Sequence, residues 1–304
     1  MALKKAFETT KKNAYAALFY GQTGVGKSTL ACSADKAIIV DFDGGLERVA
    51  IQHRKDYSAV ANWQEAVADT QQAIASGYTT VVVDTVGKMI DCIEADIKVN
   101  NPAMVDKRGG LTLKGFGLRK IMFSNYLNSL KNSGVNVVFV AQETETEEDG
   151  RKIRRPAVGS DKMATELLQD IDIAGYIHVV NGKRTVEFGT VDYAWTKNSC
   201  GLPSSVILAD LSNGAENNAL QNVSKQFDAW QSEKCEKASE YADICKQIDE
   251  ICGGIENVDN LNMAVQEVCD LPEVLTSKLY ARQAIKVAAE KIGAKLDKTT
   301  KQYV

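Results

Sequence analysis

Residues 21–28 read Gly-Gln-Thr-Gly-Val-Gly-Lys-Ser, a fit to the pattern G-x-x-x-x-G-K-[ST], and no other stretch constrains the fold of this chain as much. Its flanks supply the context that the pattern needs. Ala16-Ala17-Leu18-Phe19-Tyr20 has the length and apolarity of a buried strand, and Ser28-Thr29-Leu30-Ala31-Cys32 is helix-forming. Glycine reaches backbone conformations closed to residues with a Cβ, so successive N–H groups between strand and helix can curl around a phosphate at the helix start. Gly21, Gln22, Thr23, Gly24, Val25, Gly26, Lys27, Ser28 and Thr29 are thus expected to form a nucleotide cradle. Lys27 reaches the β- and γ-phosphates and the Ser28 hydroxyl holds Mg²⁺, which makes ATP and Mg²⁺ the expected cofactors. The alternative is a glycine-rich structural turn.

Beyond the loop, strand and helix signals alternate. Ala37-Ile38-Ile39-Val40-Asp41 and Thr80-Val81-Val82-Val83-Asp84-Thr85 are continuous apolar runs that end in aspartate, as strands buried on both faces do. Residues 63–76 and 86–99 have helical composition, a helix is predicted over 118–132, and a fourth buried strand over 135–142. The order β-α-β-α-β-α-β calls for a parallel sheet with right-handed crossovers. Residues 100–117 interrupt it with a polar, basic, glycine-rich loop. Acidic residues 143–148 and basic residues 151–155 flank Asp149-Gly150, a hairpin signal. Strands over 171–180 and 184–188 meet at Asn181-Gly182, a stronger one, and 206–208 is a last short strand. Beyond residue 213 only helix is predicted, over 216–251, 260–269 and 272–292. The expected fold is therefore α/β: a mostly parallel central sheet with antiparallel edge hairpins over residues 1–211, then a small all-helical domain over 212–304.

The length of 304 residues permits a large domain plus a smaller one, and a formal charge of -4 argues against coating nucleic acid by bulk attraction. Met1 to Phe7 is basic but leads into no apolar h-region, and no stretch is long enough to cross a bilayer. The expectation is a cytoplasmic protein with no membrane partner. Seven irregularly spaced cysteines and two histidines, His53 and His178, make a poor metal site and read as structural.

The aspartates at the strand ends carry the chemistry. Asp84 suits the water or hydroxyl shell of Mg²⁺, against the alternative of capping the next helix. Asp41 and Asp43 end the strand expected next to the phosphate loop. Asp43 projects further and is the candidate to orient or deprotonate the attacking water. Gln142 places a neutral amide where it can sense the γ-phosphate and make the segment after it respond to ATP against ADP.

These blocks together resemble the RecA-like ATPases, and more closely the phage-encoded members that act in single-strand annealing or recombination. The resemblance rests on residues 21–28, 38–43, 81–85 and 138–142, and on Gly117-Leu118-Arg119 opening a helix. It implies a glutamate as catalytic base at the Asp43 position, where this chain is one methylene shorter. It also implies that the loops after the third strand and after Gln142 face single-stranded DNA. These are residues 100–117, with Lys107, Arg108, Lys114 and Phe116, and residues 143–158, with Arg151, Lys152, Arg154 and Arg155. Basic side chains with an interleaved aromatic suit phosphate contact and base stacking. A further implication is that Lys197 reaches the nucleotide of the next subunit, although Ser199 stands where the related Lys-x-Arg-x-Gly pattern has arginine. The implied assembly is a homo-oligomer, filament or ring, and a single-strand-binding protein is a further candidate partner.

Lys278, Arg282 and Lys286 fall four apart on one face of the last helix, followed by Lys291, Lys295, Lys298 and Lys301. They read either as a solvated face or as a contact for DNA or a partner protein. The functional expectation is an ATP-hydrolysing, single-stranded-DNA-binding recombination or annealing protein. The alternative is an ATP-switched regulator that binds protein partners. A small-molecule kinase is disfavoured, for want of an arginine-rich lid.

Overall fold

The structure, a computed structural model, describes residues 11–304 apart from 149 and 298. The expectations for Met1 to Phe7, Asp149 and Lys298 lie outside the described residues. Contacts divide the chain into a unit of Lys12–Asp228 and a second that includes Ala229–Val304.

In the first unit, β1 (Ala16–Gly21) leads through the loop into α1 (Lys27–Ala31), then β2 (Ala37–Asp41), β3 (Asp56–Ala59), α2 (Trp63–Ala75), β4 (Thr80–Asp84), α3 (Val86–Asn100) and α4 (Leu113–Asn132). Next come β5 (Asn136–Glu148), β6 (Arg151–Pro156), α5 (Asp161–Asp170), β7 (Ile173–Val180), β8 (Lys183–Glu187), β9 (Lys197–Asn198) and β10 (Ser205–Ile207). The strands lie in the order β10-β8-β7-β1-β5-β4-β2-β3, with β6 paired to β5 and β9 to β7. The run from β7 to β3 is parallel, and β8, β10 and β9 add antiparallel. The parallel core and antiparallel additions match expectation.

Every residue of β1, β2 and β4 is buried. Their unbroken apolar runs are what a sheet covered on both faces requires. Leu18, Tyr20, Val81, Val83 and Phe139 meet Met89, Ile93, Phe123 and Leu127 of the helices on one face. The predicted turn at Asn181-Gly182 has φ of 50° and 75°, positive at both residues as a type I′ hairpin demands.

Several boundaries differ from expectation. The strand carrying Asp41 is not next to the phosphate loop. It stands three places from β1, with β5 and β4 between. The helix expected from Leu118 begins at Leu113, so Lys114 and Phe116 belong to α4 and not to a loop. Thr112 caps it by accepting from Gly115 N at 3.2 Å, and a Cβ on Gly115 would lie 2.7 Å from Met104 O, so the glycine lets the helix pack closely on the turn before it. The strand at Gln142 does not stop there but continues to Glu148. Three elements go beyond the sequence expectations: β3, an exposed edge strand, α5, capped by Ser160, and the two-residue β9.

The second unit holds the greater part of α6 (Ala219–Gly253), with α7 (Val258–Asp270) and α8 (Ser277–Ile292). Ile244, Ile248, Val268 and Ala281 form one apolar cluster and Ile255, Leu261, Ala264, Ile285 and Ala288 another. Among the described residues no helix is long and apolar enough to cross a membrane.

Candidate nucleotide site

Parallel pairing brings the carboxyl ends of β1, β5, β4 and β2 to one edge of the sheet. Gly21 is the register partner of Gln142, and Asp84 that of Val140 and Asp41. Gly21 has to be glycine, because a Cβ there would lie 2.2 Å from Ile177 O in β7. Gly26 takes φ 96° immediately before α1, a left-handed conformation that glycine adopts without steric cost.

Lys27 folds into this cradle and is 6% exposed. Its Nζ donates to Gly21 O at 2.9 Å, to Gln22 O at 2.7 Å and to Gln142 Oε1 at 2.9 Å. Thr23 Oγ1 donates to the same Gln142 oxygen at 3.1 Å. All three acceptors of Lys27 are neutral, and burial lowers its pKa against the opposing pull of Asp84, Glu143 and Asp43.

Asp84 is buried, and burial pushes its carboxyl up to about 6; a hydrogen bond from Ser28 works against that rise, and Asp41 and Asp43 add to it. The next helix is capped by Thr85, which accepts from Lys88 N at 3.4 Å, so Asp84 is free of that task. The hydroxyl and carboxylate are hard oxygen donors, and the surplus negative charge of three aspartates suits a divalent cation such as Mg²⁺. Asp41 and Asp43 separate clearly. The Asp41 carboxylate accepts from the backbone N–H of Asp43 at 3.1 Å, Gly45 at 3.3 Å and Leu46 at 3.1 Å, and so holds the turn. Asp43 stands half-buried beyond it, close enough for its charge to act on Lys27, Asp84 and Lys88.

Lys197 is placed elsewhere. It pairs with Ala174 near the start of β7, and its Nζ donates to Leu168 O at 2.8 Å and Gln169 O at 3.1 Å at the end of α5. Of the residues expected to face DNA, Lys107 and Arg108 sit exposed at the tip of a turn. Asp106 closes that turn by accepting from Arg108 N at 2.8 Å and Gly110 N at 3.0 Å. Lys114 and Phe116 are exposed on the first turn of α4. In the hairpin of β5 and β6, Lys152 pairs with Glu145 at 2.8 Å, Arg154 with Glu145 and Glu143, Arg151 with Asp192 at 3.6 Å, and Arg155 with Asp161 at 2.8 Å.

Arg184 joins the site without having been singled out by any motif. It lies on β8, and a Cβ added to Gly26 would come within 3.5 Å of its Nε, so its side chain packs on the phosphate loop itself. It opens onto a hollow of about 270 Å³ lined by Thr29, Leu30, Leu208, Leu211 and Asn217. The only sequence signal is that it follows the Asn181-Gly182 turn, which says nothing of a phosphate.

The family model for the AAA domain matches residues 13–200, more than half of the chain, and the chain belongs to that family. No curated protein matches it. A solved structure whose title describes an ATPase domain is similar at 13% identity and a TM-score of 0.41, over 66% of this chain and 83% of that one. The protein is an ATPase of that family, with its P-loop at the end of β1 in a mostly parallel sheet, and nucleotide binding follows from its family.

Proposed function

We propose that the chain couples ATP hydrolysis to the binding of single-stranded DNA, as a self-assembling recombination or annealing protein of the cytoplasm. Lys27 contacts the β- and γ-phosphates, while Ser28 and Asp84 hold Mg²⁺, which when bound offsets phosphate charge. Asp43 orients and deprotonates the attacking water. Arg184 steadies the phosphates from the open side, with the nucleoside in the hollow behind it. In an assembly, Lys197 would have to leave the Leu168 and Gln169 carbonyls to reach a neighbour's nucleotide.

The observation that carries the proposal is Gln142. Its side chain accepts from Lys27 and Thr23, and its backbone continues without a break into the strand of the hairpin. A γ-phosphate that draws Lys27 away removes one of the two donors to this amide, so nucleotide state is felt at the root of the segment proposed to face DNA. The test is the ATPase rate with and without a thymidine oligonucleotide, with Lys27→Ala as control. Stimulation supports the proposal, and indifference to DNA defeats it. The second reading, an ATP-switched regulator without a DNA site, is favoured by the acid partner of each hairpin cation, and indifference would select it.

A further inference from the structure

Residues 278–301 hold seven Lys and Arg against only Glu290 and Asp297, and nothing in the nucleotide site uses them. In the helical unit, α7, α8 and the C-terminal segment enclose a groove of about 460 Å³. Its floor is apolar, built from Val268, Ala281 and Ile285. One wall is Tyr303, fixed by two hydrogen bonds with Asn262 at 3.0 and 2.9 Å and by the bridge from Leu296. Lys278, Arg282 and Lys301 stand around it, and no carboxylate is among its lining residues. Lys278 has Glu273 at 3.2 Å, whereas Arg282 and Lys301 have no ion pair among the described residues.

We infer that this groove binds a short acidic peptide segment with an apolar anchor, supplied by a partner protein. An apolar floor rewards burial of an apolar side chain, and a rim of three cations, of which only Lys278 has an acid beside it, rewards carboxylates on either side of it. Nucleic acid is the poorer occupant. It needs a continued cationic track and stacking platforms, but residues 229–277 hold eleven Asp and Glu against three Lys, and Tyr303 is the one aromatic lining the groove. Lys278 and Arg282, one turn apart on α8, therefore form one side of a recognition rim, with Lys301 across the floor.

A fluorescein-labelled peptide of four aspartates followed by Leu-Phe, titrated against the full chain by anisotropy, tests this. Saturable binding is expected. It should weaken tenfold or more in Arg282→Glu/Lys301→Glu, and equally when the aspartates become asparagines or Leu-Phe becomes Ser-Ser. Both substituted positions are exposed, and a circular-dichroism melt checks that the variant is folded; Leu296→Ser provides a second, uncharged variant that should also weaken binding. Absence of saturable binding, or binding unchanged by the double reversal, overturns the inference. Displacement of the peptide by an equally long thymidine oligonucleotide of higher affinity overturns it too, in favour of nucleic acid.

Discussion

Two segments of the ATPase unit carry the cations expected to meet DNA, and they differ in what those cations already hold. Between residues 100 and 117, Lys107, Arg108 and Lys114 are exposed and have no ion pair among the described residues. In the hairpin of β5 and β6, Lys152, Arg154 and Arg155 all have an acid close by. Exposed ion pairs contribute only about 0–1 kcal/mol to stability, yet each acid must be displaced or left repelling an incoming phosphate. Pairing, more than the count of basic residues, therefore separates a surface open to phosphate from one that must first be opened. Lys27 extends the same lesson, since its partners are all neutral and a phosphate can take it over without breaking a salt bridge.

The contrast between paired and unpaired cations can be broken at several points. Lys27→Ala removes the cation that the whole site surrounds, and its ATPase rate should fall by about 100-fold or more; a smaller loss in a steady-state assay would move the chemistry elsewhere. Asp84 must be ionised to hold a metal, so apparent Mg-ATP affinity should fall as pH drops through about 6, by about tenfold per unit beneath it. Binding that is flat from pH 8 to 5 would contradict this. The sign for stability is opposite. The Asp84 carboxyl titrates near 3.8 when unfolded and near 6 when folded, so its contribution is present below the first value and lost as pH rises through the second.

Lys107→Ala/Arg108→Ala/Lys114→Ala should lower affinity for a thymidine oligonucleotide about tenfold and reduce the salt slope by about 2. If the triple variant binds normally, the unpaired segment is not the contact surface. Arg184→Ala should raise KM for ATP about fivefold with kcat little changed, as expected for uniform binding. The smallest effect belongs to the hairpin. Glu145→Gln, by releasing Lys152 and leaving Arg154 with Glu143 alone, should tighten DNA binding about threefold or less. A larger gain would show that the acids, and not the geometry, hold the hairpin closed.

Much of the architecture is legible in the residues alone. Buried parallel strands have to be apolar at every position, which marks β1, β2, β4 and the first part of β5, and a phosphate loop admits few flanking elements. The elements that escape such a reading do so for physical causes. Asp56-Tyr57-Ser58-Ala59 pairs on one edge only and is mostly exposed, so β3 shows no apolar run. The α5 helix is short, with Met163, Ala164 and Leu167 buried among polar residues. Gly115 and Gly117 read as helix breakers; for Gly115 the sequence does not reveal that the Met104 carbonyl will occupy the place of a side chain, while Gly117 faces open space. Strand order is out of reach for a similar reason. Apolarity says that a strand is covered and not which strand lies beside it, so β2 is expected too close to β1. Arg184 reaches the loop only because the antiparallel edge folds back, and no local pattern records that.

The link through Gln142 is tested most directly by measuring oligonucleotide affinity with ADP and with a non-hydrolysable ATP analogue, in the wild type and in Gln142→Ala. The wild type should bind DNA more tightly with the analogue, and Gln142→Ala should bind both nucleotides but show the same DNA affinity with each. A variant that keeps the full nucleotide-dependent difference, or a wild type that shows none, would contradict the proposed coupling.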